Sequence, residues 1–177
     1  MSRPEDPPED TVWEGRFIAA KRRGKWEYVS RTRNVGAAVI LAIDENHVLL
    51  VEQYRVPLGA WCLELPAGLI GDEEEGEEVE AAAIRELEEE TGFRAGHMVD
   101  LGRYFASPGM SSEGFTLLRA EAMVRTGEGG GVEGENIVVH RVPLSQVSAF
   151  VAGKRAEGCA IDVKLLLLLA GDLLADS

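Results

Sequence analysis

Through its first two thirds the chain sets short apolar runs between polar breaks, and it then turns to longer amphipathic stretches. Residues 13–20 and 26–31 read as strands, with Lys21-Arg22-Arg23-Gly24-Lys25 as the turn between them. Residues 35–43 and 47–54 predict a hairpin closed by Asp44-Glu45-Asn46, and 61–65 a further short strand. Strands at 97–105 and 115–124 flank a polar loop at 107–114, and 137–142 is a last strand. A glycine-rich loop occupies 127–134. Helices are expected at 144–153 and 162–175, the second capped by Asp162. Residues 1–11, rich in proline and acids, read as a disordered tail. The layout predicts an α/β fold, a mixed central sheet sandwiched by helices. An N-terminal β-hairpin over 12–34 would precede a single domain over 35–177.

One helix stands apart. Ala81, Ala82, Ala83 and Leu87 are good helix formers among many glutamates, and Gly92 suits the left-handed position that ends a helix. At about 100° per residue, with Glu86 as zero, Glu90 lies at about +40° and Glu89 at about −60°. Val79, Ala83, Ile84 and Leu87 share the adjoining side, so an apolar stripe runs beside an acidic one. Like charges such as Glu86 and Glu90, four residues apart, cost about 0.2–0.5 kcal/mol in a bare helix. A hard divalent cation reverses that sign, and Mg²⁺ suits one or two carboxylates plus waters and substrate phosphates. A solvated, salt-bridged surface helix is the competing interpretation.

Composition narrows the choice. A chain of 177 residues is long enough for one domain that buries roughly 70% of its unfolded surface. The formal net charge of −13 argues against a nucleic-acid backbone as partner, because such binding rests on Lys and Arg neutralising phosphates. A small phosphorylated ligand met by a metal remains compatible with it. Cys62 and Cys159 form no metal or redox motif. With no apolar core in residues 1–8 a secretory leader is not expected, and the longest apolar run, 165–170, is too short to span a bilayer. No membrane role and a cytoplasmic setting are therefore expected.

The run from Gly71 through Glu77 to Arg85-Glu86-Leu87-Glu88-Glu89-Glu90-Thr91-Gly92-Phe93 resembles the Nudix box at every fixed position. That box reads Gly, five residues, Glu, seven residues, Arg-Glu-apolar-any-Glu-Glu-any-Gly-apolar. Gly68, closing Glu64-Leu65-Pro66-Ala67-Gly68, is the alternative box glycine and the favoured one. Trp26-Glu27-Tyr28-Val29, Glu52-Gln53-Tyr54-Arg55 and Glu135-Asn136-Ile137-Val138-Val139-His140 look like the ADP-ribose pyrophosphatase branch of Nudix hydrolases. Pro108, sixteen residues after Gly92, matches a proline often found in that branch.

The resemblance implies a Nudix-type α/β/α sandwich and Mg²⁺-dependent hydrolysis, with Mn²⁺ as a substitute. The substrate would be a nucleoside diphosphate linked to another moiety, foremost ADP-ribose, cleaved to AMP and ribose 5-phosphate. Another sugar nucleotide, a dinucleoside polyphosphate, or a non-catalytic nucleotide sensor on the same fold are the alternatives. A homodimer is expected on the same ground. By resemblance Glu86, Glu90 and the Ala67 carbonyl would ligate the metal, with Glu89 a third ligand or an acceptor nearby. Arg85 would orient the acids by bonding a box glutamate such as Glu77, and Arg55 would hold a phosphate or the terminal ribose. The general base would come from the loop after the sheet: Glu133 first, then Glu135, then Glu113. Trp26 and Tyr28 would stack on the base, with Pro108 and Glu113 bordering the substrate.

Overall fold

A computed structural model describes residues 7–32, 36–70, 78–132 and 134–175. Its elements are β1 (Glu9–Glu14), β2 (Ile18–Arg23), β3 (Trp26–Arg31), β4 (Gly36–Asp44), β5 (His47–Arg55), β6 (Ala60–Glu64), β7 (Ala67–Ile70) and α1 (Val79–Thr91). There follow β8 (Phe93–Arg94), β9 (His97–Tyr104), β10 (Phe115–Glu121), β11 (Val124–Arg125), β12 (Val138–Pro143), α2 (Val147–Ala156), β13 (Ala160–Ile161) and α3 (Leu166–Ala175). Among the described residues no helix is long and apolar enough to cross a membrane.

Strands β4 and β5 start as a hairpin and then part. The turn residues Glu45 and Asn46 both have positive φ, 44° and 64°, the conformation that matches strand twist in a two-residue turn. Only Ile43↔Val48 and Asp44↔His47 pair across it. Beyond that point β4 pairs with β7 on one edge and runs parallel to β10 on the other. Strand β5 pairs instead with β6 and β12. The eight-stranded mixed sheet is therefore forked, and Leu65-Pro66 carries the chain from β6 in one branch to β7 in the other.

Alternation along β4 builds a core on each face. Ala38, Ile40 and Ala42 pack with Leu49 and Leu118 beneath Ala83 and Leu87 of α1. Val39 packs on the other face with Leu50, Leu63, Val147 and Val151 of α2, and Leu169 of α3. The result is the expected α/β/α sandwich around a mixed sheet. Both cysteines are buried and free. Asp162 caps the turn before α3, accepting from Lys164 N at 2.7 Å.

The N-terminal region differs from the expected hairpin. Three strands form there, because Gly15 N donates to Ile18 O and turns the chain between β1 and β2. Strand β1 begins at Glu9, inside the stretch expected to be a tail; residues 1–6 lie outside the described residues. Lys21, Arg22 and Arg23 belong to β2 rather than to a turn, and Gly24-Lys25 alone makes the turn. The reason is charge across the ladder: Lys21 and Arg23 reach Glu9 at 2.7 and 2.6 Å, and Arg22 reaches Asp10 at 3.2 Å.

Gly92 ends α1 at φ 73°, and a Cβ there would lie 2.4 Å from the Gly127 carbonyl oxygen. Gly92→Ala should destabilise the protein by roughly 1–3 kcal/mol, through left-handed strain and displaced backbone, measured by urea unfolding.

Candidate functional site

The acidic helix is held at three places. Near its start Glu80 accepts from Met98 N at 2.9 Å, tying α1 to β9. At its end Gly92 N returns to Glu88 O at 2.8 Å. In its last turn Glu90, only 5% exposed, accepts from Ala67 N at 3.0 Å. Ala67 opens β7 next to the fork, so this bond carries the helix to the place where the sheet divides.

Close approach of backbone to carboxylate shapes the floor. A Cβ on Gly68 would lie 2.1 Å from Glu86 Cδ and 2.6 Å from its Oε1, so Glu86 lies directly on the glycine. Gly68 is thus the glycine against which the acidic helix packs; Gly71 and Glu77 lie outside the described residues. Arg85 Nη1 bridges Glu86 Oε1 at 3.1 Å and Glu89 Oε2 at 3.2 Å.

Burial pushes the Glu90 carboxyl up to about 8. The Ala67 amide opposes the rise, while the charges of Glu86 and Glu135 add to it and Arg55 offsets part. Four acids (Glu86, Glu89, Glu90 and Glu135) thus gather with two cations, Arg55 and Arg85. Arg55 is itself committed: Nε and Nη2 grip Glu64 at 2.6 and 2.8 Å, and Glu64 is only 3% exposed. The two oxygens and two N–H groups match in parallel, which fixes the guanidinium plane.

Glu64 is the residue that the sequence reading passed over. A lone acid within the apolar run Trp61-Cys62-Leu63-Glu64-Leu65 was the available signal, because a buried carboxylate needs a partner. Its partner Arg55 lies across the β5–β6 hairpin.

The predicted residues fall into separate groups. Ala67, Arg85, Glu86, Glu89 and Glu90 come together, with Arg55 and Glu135 acting electrostatically on Glu90. Glu133 lies outside the described residues. Trp26, Tyr28 and Pro108 line a separate cleft of about 370 Å³ with Glu9, Lys21 and Ser112. Two backbone bonds hold its walls together: Val29 N to Met110 O at 2.9 Å, and Ser112 N to Val29 O at 3.0 Å. Tyr28 donates its hydroxyl to Glu9. Glu113 is engaged by Arg31 Nε at 2.6 Å on a neighbouring cleft of about 440 Å³.

Among the described residues no group of three or more His, Cys, Asp and Glu side chains forms a ready-made metal cage. Mg²⁺ does not require one, since it keeps several waters and takes one or two carboxylates. The hard oxygen donors of Glu86 and buried Glu90 fit such an ion.

A forked mixed sheet with a carboxylate-bearing helix packed at the fork is thus the frame of this α/β/α sandwich. Residues 32–157 match the NUDIX domain profile, and the chain belongs to the Nudix hydrolase family. It is 39% identical over 92 residues to an ADP-ribose pyrophosphatase of Bacillus subtilis, covering 51% of this chain and 48% of that one. The chain thus spans about half the length of that relative. It is 35% identical over 148 residues to a GDP-mannose pyrophosphatase of Cronobacter sakazakii, covering 77% of this chain and 72% of that one. A crystal structure described as an ADP compounds hydrolase superposes with a TM-score of 0.72 at 25% identity, covering 100% of this chain and 97% of the other.

Two outcomes test this geometry. Gly68→Ala should drive the Glu86 carboxylate away and weaken Mn²⁺ binding, read by electron paramagnetic resonance, by on the order of 10–100-fold. The second concerns pH. Folded Glu90 keeps its proton between its ordinary 4.5 and about 8, where the unfolded chain has lost it. Metal-free stability should therefore fall as pH rises through that window. Added Mg²⁺ should raise the melting temperature most at the upper end, because only the ionised carboxylate binds it. Glu90→Gln should flatten both trends.

Proposed function

We propose that this chain hydrolyses ADP-ribose to AMP and ribose 5-phosphate in a Mg²⁺-dependent reaction. The observation that carries the reading is buried Glu90 beside Glu86, seated on Ala67-Gly68 and faced by an arginine that Glu64 holds in place. The ADP-ribose pyrophosphatase and ADP compounds hydrolase among its relatives support the substrate class.

Glu86, Glu90 and the Ala67 carbonyl would hold the ion, with Glu89 a third ligand or an acceptor. When bound, Mg²⁺ neutralises diphosphate oxygens and lowers the pKa of water. Arg55, its plane set by Glu64, holds a phosphate or the terminal ribose. Arg85 keeps Glu86 and Glu89 oriented. Glu133 takes the proton as a water oxygen attacks one phosphorus and the bridging P–O bond breaks. The leaving phosphate departs with its sugar as the second phosphate monoester. Trp26, Tyr28 and Pro108 receive the base in their shared cleft.

The reading includes a homodimer. Val12, Trp13, Phe17 and Ile18 of the N-terminal sheet and its first turn are 43–63% exposed, and an isolated small sheet gains stability from a covering partner. It also includes a cytoplasmic setting, supported by two free, buried thiols. A second reading, another sugar nucleotide such as GDP-mannose, is favoured by the longer match to the GDP-mannose pyrophosphatase.

A panel of ADP-ribose, GDP-mannose and diadenosine polyphosphates, assayed with Mg²⁺ in ¹⁸O water, separates these readings. ADP-ribose should turn over fastest; a preference for GDP-mannose selects the second reading. Glu90→Gln should abolish turnover in a folded protein, and wild-type rates in that variant would refute the metal assignment. Glu133→Gln should lower kcat by roughly 10²–10⁴-fold and keep Mg²⁺ binding.

A further inference from the structure

The glycine-rich loop does not hang free of the acidic helix. Thr126 N and Gly127 N donate to Gly92 O at 2.8 and 3.1 Å. Gly130 N donates to Glu90 O at 2.9 Å, and Gly131 N to Glu89 O at 3.0 Å. The last carbonyls of α1, which every helix leaves without internal partners, are thus served by loop amides. The backbones nearly touch. A Cβ on Gly129 would lie 2.4 Å from the Thr91 carbonyl carbon and 2.6 Å from Glu90 O, and Gly129 has φ 70°. No other residue fits there without moving the loop.

A second fastening follows directly. Glu135 N donates to Val132 O at 3.1 Å, and Val132 N donates to Glu135 Oε2 at 2.9 Å. Val132 and Glu135 are joined twice, once by backbone and once by the carboxylate. That carboxylate packs against Gly131, whose φ is 78° and where a Cβ would lie 2.4 Å from Glu135 Oε2. A general base must turn a free oxygen toward water. Here one of the two carboxylate oxygens, Oε2, is turned back on its own loop.

We propose that Glu135 is a positioning residue rather than the general base: its carboxylate fastens Val132, and Gly129-Gly130-Gly131 join that fastening to the carbonyl end of the helix that bears Glu89 and Glu90. The inference rests on the hydrolytic reading above and adds to it a coupling between loop and helix. The fastening requires an acceptor at position 135, not a charge. Glutamine supplies one and alanine does not.

The test compares Glu135→Ala, Glu135→Gln, Gly131→Ala and the Gly131→Ala/Glu135→Ala double variant under Mg²⁺-saturated turnover, with backbone amide exchange measured at Gly130 and Gly131. Glu135→Ala and Gly131→Ala should each lower kcat by on the order of 10–100-fold with KM little changed, because a loosened loop misplaces the reacting groups. The double variant should be no slower than the slower single, since both changes undo one fastening. Glu135→Gln should keep the Val132 fastening, since its amide oxygen can still accept. Amide exchange should quicken in the alanine variants and not in the glutamine one. A Glu135→Gln variant whose Gly130 and Gly131 amides exchange as fast as those of Glu135→Ala would overturn the inference, because an acceptor at 135 would then not hold the loop. So would unchanged exchange at Gly130 and Gly131 in Glu135→Ala. The exchange measurement reads the fastening without turnover. A wild-type protein inactive on every diphosphate would count against the hydrolytic reading and leave that measurement standing.

Discussion

The arrangement depends on one hydrogen bond, from the Ala67 backbone amide to the buried carboxylate of Glu90. It joins the last turn of α1 to the first residue of β7, at the point where the β4–β5 hairpin has opened and the chain crosses between branches of the sheet. A carboxylate this deeply buried is costly unless paired. One amide and a neighbouring arginine meet part of that cost, and Glu86 and Glu135 work against them. The site is therefore electrostatically unfinished by its own side chains, which is the condition under which an added cation gains most.

Backbone proximity does the work that cationic side chains do at many helix ends. The last turn of α1 carries no basic residue. A lysine or arginine there would satisfy the helix dipole but would also add positive charge beside Glu86 and Glu90. Loop glycines serve the carbonyls without adding charge, and Gly129 among them lets the loop backbone approach the helix end because it lacks a Cβ. Gly68 answers the same need on the opposite side, letting Glu86 lie on the strand. Close approach, rather than turn-making, is what the site demands of Gly68.

The N-terminal sheet solves a different problem. With little apolar surface to bury, its strands are registered by charge, the acids of β1 facing the basic run of β2. The loop with Pro108 then docks on β3 through two backbone bonds, bringing Trp26, Tyr28 and Pro108 into one cleft. Residues about eighty positions apart share a wall because the loop completes the edge of β3.

Much of this was legible in the chain. The helix with Glu86, Glu89 and Glu90, the Gly92 stop, the β4–β5 hairpin and the Asp162 cap are all local, set by period, propensity and turn chemistry within a few residues. The Nudix grammar is also a local pattern. Local patterning misjudged 21–25, where a basic run resembles a turn until its acidic partners on β1 are known. The Glu64–Arg55 pair, the seat of Glu86 on Gly68 and the fastening of 129–131 to α1 were decided only in three dimensions. Each depends on which backbone approaches which from another element. Spacing along the chain specifies the residues of a helix face, while the neighbour that face meets is set by how the sheet forks and packs.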